Sequence, residues 1–364
     1  VTGRMRVGSV WSEAVRNIAS RTTRTTLLAL VLTLGAGGLA WADVHSYVGV
    51  VRDAETYRSS GSAVRTVTTE GSEVNGRRCD ALAGTAGVVA AGALRPGVAL
   101  DLLALPGTDL RTWEVTPGVV DLLAAAGASP VAGSAGPGVW LSDDLALALG
   151  ARPDDELATS GGTVRVAGIY TWPDDGRARD LGYAVLSPVA AAGAFDRCWA
   201  QVWPVDEGVA GLLHTALEPA GVAASRTSPL NASLGSSLDG PQLLAARPTR
   251  LAPLAAAMLG AALGLLAVRA RRLEIASAMH ARVPRAHLTW QHVLEAAAWV
   301  GGGTALSAAL VAHAAIDGNP DPALAAWITG MRTVLAGGAA AILGILAGVV
   351  ATRESHLFRY FKER

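Results

Sequence analysis

Hydrophobic positions along this chain fall into two regimes. Four long runs carry no Asp, Glu, Lys or Arg: Thr25 to Ala42, Leu251 to Val268, Ala296 to Ala315 and Thr333 to Thr352. Each approaches the ~18–20 apolar residues needed to cross a ~30 Å hydrocarbon core, so each predicts a spanning helix. Between the first two runs the periods shorten. Ala63 to Thr69 alternates as a strand does, Glu73 to Leu82 has helical spacing, and Gly87 to Leu94 reads as a strand. The same order returns later: Trp199 to Trp203 as strand, Asp206 to Leu217 as helix, Gly221 to Arg226 as strand. Two β-α-β units separated by a β-rich insertion, about residues 97–197, predict a split, ferredoxin-like layer of sheet and helices.

The expected fold class is therefore an α-helical membrane protein with four transmembrane helices, one before and three after a large α/β domain. The segments are 1–24 (amphipathic leader), 25–42, 251–268, 292–315 and 332–352 (spans), 43–249 (large domain), 269–291 (connector), 316–331 (loop) and 353–364 (tail). In the leader, Val7, Val10, Trp11, Ala14, Val15 and Ile18 share one helical face and Arg6, Glu13 and Arg16 the other, as in a helix lying on a membrane surface. The first apolar run is longer than a signal-peptide core and follows this patterned leader, so it is read as a retained span.

Composition agrees. Of 364 residues 51% are hydrophobic and 16% charged, with mean hydropathy +0.35, too apolar for an ordinary soluble chain. Arginine sets the orientation. Arg4, Arg6, Arg16, Arg21 and Arg24 precede the first run, Arg269, Arg271, Arg272, Arg282 and Arg285 follow the second, and Arg353, Arg359, Lys362 and Arg364 follow the fourth. The loop between the last two spans carries Asp317, Asp321 and Arg332 at its edge. The positive-inside bias predicts a multi-pass plasma-membrane protein with cytoplasmic termini and connector and an extracytoplasmic large domain. Trp41, Trp290 and Trp327 fall at the expected membrane edges.

Candidate chemistry is sparse. The sole lysine is Lys362, so no P-loop can form and Gly133 to Gly138 is a Gly/Pro loop rather than a phosphate cradle. His45 and His214 are the imidazoles of the large domain and do not make a hydrolase site; no catalytic residue and no metal ligand is expected. His280, His287 and His292 lie at spacings unsuited to a helical metal pair and read as polar-surface residues. Within the spans the ionisable residues are Glu295 and His313, the latter read as a buried hydrogen-bonding group or a proton site. Gly260 and Gly264, and Gly344 and Gly348, have the spacing that lets helices approach in lipid, and Glu295 joins this packing set. Cys79 and Cys198 both fall in the large domain. In an oxidising compartment they can bridge; two separately buried thiols are the alternative.

The most specific stretch is the basic connector. Arg271-Arg272-Leu273-Glu274-Ile275-Ala276 is followed by the eight residues Ser277 to Pro284, then by Arg285-Ala286-His287-Leu288, and later by Leu294, Glu295 and Ala296. This resembles the cytoplasmic connector of the FtsX-like, MacB-type permeases of ATP-binding cassette (ABC) transporters. Gly138 to Tyr170 resembles their periplasmic core: a strand, a helix that Ser142 or Asp143 can cap and Gly150 can end, a hairpin at Ser160-Gly161-Gly162, and a strand. Glu13-Ala14-Val15-Arg16-Asn17-Ile18 and Arg24-Thr25 are also similar to the family's N-terminal motif.

The resemblance implies a non-catalytic permease subunit that works with two ATPase chains, which hold ATP and Mg, and with a second copy or a paralogous permease. It implies export or extraction of a substrate through the large domain, with membrane lipid and an extracytoplasmic protein as further partners and no nucleic acid. The alternative within the same fold is FtsX-like mechanical signalling to a cell-wall hydrolase. Leu273, Ala276, His280 and Val283 share one connector face and Ile275, Met279 and Arg282 a neighbouring one; with Glu274 and Arg285 they are the expected ATPase-coupling residues. Where the family pattern has Gly in the turn, this chain has Ala281-Arg282-Val283-Pro284, so Pro284 is expected to break the helix alone.

Overall fold

The apolar runs become helices longer than the runs themselves. The computed structural model describes residues 7–20, 24–108, 110–133, 136–205 and 208–362. Arg4, Arg6, Arg21, Asp206 and Arg364 lie outside the described residues. The chain divides into a helical unit, residues 1–52 with 240–364, and an α/β unit, residues 53–239.

The chain begins with α1 (Val7–Ala19), α2 (Thr25–Leu32) and α3 (Gly38–Ser59), the last two joined through a π-helical turn at Thr33–Gly37. The turn is held from the side: Thr33 Oγ1 donates to the Ala29 carbonyl at 2.8 Å and meets the Gly303 carbonyl at 3.3 Å.

The α/β unit comprises β1 (Val64–Thr68), β2 (Val74–Asn75), α4 (Gly76–Ala81), β3 (Val88–Pro96), β4 (Thr112–Val115), α5 (Gly118–Ala125), β5 (Val131–Ala132) and β6 (Val139–Ser142). It continues with α6 (Asp143–Leu149), β7 (Glu156–Thr159), β8 (Gly162–Tyr170), β9 (Val185–Pro188), β10 (Ala194–Phe195), β11 (Arg197–Val202), α7 (Val209–His214) and β12 (Arg226–Pro229). Strands β12, β1, β11 and β3 lie side by side in that order with every neighbouring pair antiparallel. That is the ferredoxin-like order, with the insert occupying the connection between β3 and β11. The insert extends the sheet through β4, β9, β6, β8 and β5. Cys79 on α4 and Cys198 on β11 form a disulfide with Cα atoms 5.8 Å apart, both fully buried. It closes a sequence separation of 119 residues, worth ~4–5 kcal/mol in the chain-entropy model.

Several elements differ in extent from their sequence pattern, each for a local reason. The first helix begins at Gly76 rather than Glu73 because Val74 and Asn75 pair with Phe195 and Ala194, and Asn75 Oδ1 then caps it by accepting from the Arg78 N–H at 3.2 Å. The last strand is Arg226–Pro229, not Gly221–Arg226: Gly221 is held in a turn onto the Glu218 carbonyl, and Thr66 Oγ1 donates to the Ser228 carbonyl at 2.9 Å. Ser142 does not cap α6 through its side chain, because its Oγ accepts from the Ala184 N–H at 3.2 Å instead. Gly150 ends that helix at φ 64°.

A buried polar network ties the two ends of the α/β unit's chain together. The Arg177 side chain is fully buried; it donates to Asp175 Oδ2 at 2.7 Å and to the Ala126 and Ser59 carbonyls, each at 3.1 Å. Asn231 adds bonds to the Ser60 carbonyl at 3.0 Å and the Asp175 carbonyl at 3.1 Å. Burial raises the Asp175 pKa, but the Arg177 hydrogen bonds and charge outweigh it and hold the carboxyl below its usual range.

The helical unit resumes with α8 (Gly240–Ala246), α9 (Ala252–Ala270), α10 (Arg272–His280), α11 (Arg285–Ile316), α12 (Leu324–Ala351) and α13 (Leu357–Lys362). Among the described residues, four helices are long and apolar enough to cross a membrane: Thr25–Ser59, Pro248–Ala270, Arg285–Ile316 and Leu324–Ala351. Helices α9 and α12 touch through backbone. A Cβ at Gly260 would strike the Gly337 carbonyl, one at Gly264 the Ala341 carbonyl, and one at Gly344 the Ala261 carbonyl; Gly348 lies under the Val268 side chain. At the end opposite the connector, Arg247 pairs with buried Asp43 at 3.3 Å, and Arg52 donates to the Gly318 carbonyl at 2.6 Å and the Asp317 carbonyl at 2.9 Å.

Replacing Arg177 with Met should cost the α/β unit about 3–5 kcal/mol, because it strands Asp175 and two buried carbonyls. Denaturant unfolding of the full chain, followed by near-UV circular dichroism, measures it. Because the Asp175 pKa is depressed, its contribution is present above the unfolded value of about 4 and is lost as pH falls through the folded value. The Arg177→Met protein should lack that acid-side loss.

Candidate coupling site at the basic connector

Helix α9 ends because Arg271 leaves helical geometry, at φ −111° and ψ 13°. Helix α10 then runs to His280 and closes in a Schellman turn: the Arg282 N–H donates to the Met279 carbonyl at 2.9 Å and the Val283 N–H to the Ala278 carbonyl at 3.0 Å. Arg282 occupies the left-handed position of this turn at φ 63°. The break therefore does not fall to Pro284 alone. An arginine adopts the conformation that a glycine would take without strain, and Pro284 then leads into α11 at ψ 136°.

The apolar face of the connector points inward. Ile275, Ala276 and Met279 are 2%, 0% and 8% exposed and pack with Leu288, Leu357 and Tyr360. Of the expected ATPase-coupling residues, these three therefore lie in the connector's own core, in one cluster with side chains of α11 and the tail. Leu273 and Val283 are half-buried. The outward surface consists of Glu274, Ser277, His280, Ala281, Arg282, Pro284 and Arg285. His280 Nδ1 lies 2.9 Å from Glu354 Oε1.

Behind that surface lies a buried ionic node. Arg271 donates through Nε to Glu274 at 2.8 Å and through Nη1 to Glu295, whose side chain is 5% exposed. The other Glu295 oxygen accepts from Asn17 Nδ2 of α1 at 2.6 Å and from Gln291 Nε2 at 3.2 Å. Burial works against the Arg271 charge, and the hydrogen bonds and charges of Glu274 and Glu295 more than offset it, so its pKa is raised. One guanidinium thus joins the end of α9 to α10 and α11, and one carboxylate joins α11 to α1.

The histidines separate. His280 is exposed, His287 is half-buried, and His292 is buried with Nδ1 2.8 Å from the Leu288 carbonyl, so His292 is not a surface residue. His313 is exposed on α11 rather than enclosed, which removes it as a buried hydrogen-bonding group. Gln291 carried no sequence signal of its own, and Asn17 stood within the N-terminal motif without an assigned role. Gly330 and Gly337, which pack against Val44 and Ala36, continue the small-residue stripe of α12 at spacings that could have been read with Gly344 and Gly348.

Comparison of the sequence with protein-family models and with curated proteins gives no match. Among solved structures the chain is similar to the periplasmic region of MacB from Actinobacillus actinomycetemcomitans, at 12% identity over 49% of this chain and 94% of that one, with a TM-score of 0.36. It is also similar to the extracellular domain of the noncanonic ABC-type transporter YknZ from Gram-positive bacteria, at 11% identity over 45% of this chain and 98% of that one, with a TM-score of 0.32. Likenesses this distant carry no argument about what the chain does, which rests on its own residues.

Arg282→Gly should stabilise the helical unit by about 1 kcal/mol, since it relieves a left-handed conformation without removing a buried contact. Thermal unfolding in detergent reads this as a raised midpoint. An unchanged or lowered midpoint would mean that the arginine side chain stabilises the turn in a way its exposure does not reveal.

Proposed function

We propose that the chain is the membrane subunit of an ABC complex, passing ATPase movement through its connector to the α/β unit for export or extraction of a substrate. The observation that carries this is the connector itself: a short basic helix between two spanning helices, with its apolar face buried at home and a charged edge left outward. An element tied to α9, α11 and α1 through Arg271 and Glu295 would move them when pushed, whereas a loosely attached loop would absorb the push. The residues offered to the ATPase are then Glu274, His280 and Arg285, with Ala281 and Arg282, while Leu273, Ile275, Ala276, Met279 and Val283 hold the connector to its own unit. ATP and Mg belong to the partner chains, two per dimer of permeases, the second permease being a copy or a paralogue. The arginine-rich end faces the cytoplasm by the positive-inside bias. Export is preferred to hydrolase signalling on the size of the insert, which extends the sheet of the α/β unit well beyond the four ferredoxin-like strands.

Ala281→Glu together with Arg285→Glu alters only outward residues. Co-expressed with an ABC ATPase that co-purifies with the parent chain in mild detergent, this variant should retain that ATPase at least about tenfold less well, as expected for a loss of more than ~1.4 kcal/mol at an interface centre. Membrane insertion should be unchanged. Wild-type retention of the ATPase by a correctly inserted variant would remove the connector from the docking surface.

A further inference from the structure

The regular hydrogen-bond ladder of the first long helix is interrupted between α2 and α3. Thr33–Gly37 makes a π-helical turn there, and the Gly38 N–H then returns to the Gly35 carbonyl, three residues back rather than four. A π turn carries an extra residue inside an otherwise α-helical segment, and such turns are places where helices kink. Leu34 points outward from it, 76% exposed. The rest of the turn meets each of the other three long helices. A Cβ at Gly35 would strike the Leu259 side chain of α9, one at Gly37 would strike Ser307 of α11, and Gly337 of α12 lies against Ala36.

The two sides of the turn are held unequally. Beyond it, Ala40, Val44 and Val48 of α3 are buried with Val311, Ala314 and Val334 of α11 and α12, and Gly330 leaves no room for a side chain beside Val44. Before it, Leu32 is the buried residue of α2, and Leu27, Leu30 and Val31 face outward. At the junction Thr33 Oγ1 donates to the Ala29 carbonyl at 2.8 Å and meets the Gly303 carbonyl of α11 at 3.3 Å. Helix α1, whose Asn17 is held by Glu295 at 2.6 Å, precedes α2 in the chain. Along the chain, the π turn therefore separates the contact to the ionic node from the well-buried α3.

We infer that Thr33–Gly37 is a hinge, at which α2 changes its setting against α3 while α3 stays fixed among its neighbours. The extra residue supplies the slack. Closing the turn to α-helical spacing moves the segment on one side by about 100° around the helix axis and ~1.5 Å along it. The less buried α2 is the side that can make this change at small loss of packing. A push that reaches α1 through Asn17 is then taken up at the turn before it reaches α3. The inference goes beyond the docking proposal and stands on the helical unit alone, without any ATPase.

The test uses the purified full chain in lipid nanodiscs, with spin labels on introduced cysteines; the native cysteines are bonded to each other and do not react. One labelled pair is Leu27→Cys with Leu266→Cys, across α2 and α9, and the reference pair is Leu266→Cys with Val350→Cys, across α9 and α12; all three positions are exposed. The parent chain should show more than one Leu27 to Leu266 distance and a single Leu266 to Val350 distance. Deleting Leu34 removes the extra residue and keeps Thr33, Gly35, Ala36 and Gly37. That variant should show one Leu27 to Leu266 distance, with a thermal midpoint no lower than the parent's. Deleting His45, exposed in the regular part of α3, puts Ala40 and Val44 out of register with residues beyond it and should lower the midpoint by several degrees. A single narrow Leu27 to Leu266 distance in the parent overturns the inference, as does an equally broad Leu266 to Val350 distribution. Several distances surviving the Leu34 deletion also overturn it, and a midpoint lowered as far as by the His45 deletion would make the turn a packing feature and no hinge.

Discussion

The Arg271 to Glu295 ion pair is the constraint on which the helical unit depends. Both side chains are largely withdrawn from water, so each alone would carry a desolvation cost of several kcal/mol. Together with Glu274, Asn17 and Gln291 they satisfy one another, and the geometry that satisfies them places the end of α9, the connector helix α10, the surface helix α1 and the start of α11. A buried pair of this kind contributes little net stability against an apolar replacement but strongly penalises any arrangement that separates its members. It specifies where the connector sits.

The rest of the unit is compatible with transmitting force from that point. Helices α9 and α12 meet at backbone distance through Gly260, Gly264 and Gly344, where a single added Cβ would collide with a carbonyl. Contacts of this kind leave little room for sliding. In the α/β unit the Cys79 to Cys198 disulfide and the Arg177 network tie distant segments together by different means, one covalent and one polar.

Much of this was legible before any coordinates. Charge-free runs of membrane length located the four long helices, since hydrophobic length is a property of sequence alone, and the strand patterns at 63–69 and 87–94 with their later repeat carried the ferredoxin-like order. Boundaries were less legible where tertiary partners decide them: Asn75 caps α4 only because Val74 is drawn into a pairing with Phe195, and β12 begins at Arg226 because its partners on β1 lie there. The connector shows the sharper limit. Periodicity identified its two faces but not which one is buried, because the covering residues, Leu288, Leu357 and Tyr360, come from segments far along the chain or beyond a break. The αL turn was hidden for another reason: arginine is not the residue that such a turn advertises, and only φ 63° at Arg282 reveals it.

The central claim is that Arg271 and Glu295 act as one unit. A double-mutant cycle with Arg271→Ala and Glu295→Ala, read as unfolding free energy of the full chain in detergent, tests it most directly. Arg271→Ala leaves the buried Glu295 charge without a cation and should cost about 3–5 kcal/mol, Glu295→Ala leaves Arg271 with Glu274 and should cost less, and the double variant should cost far less than their sum. Additive losses would show that the two residues are independent, and that something other than this pair places the connector.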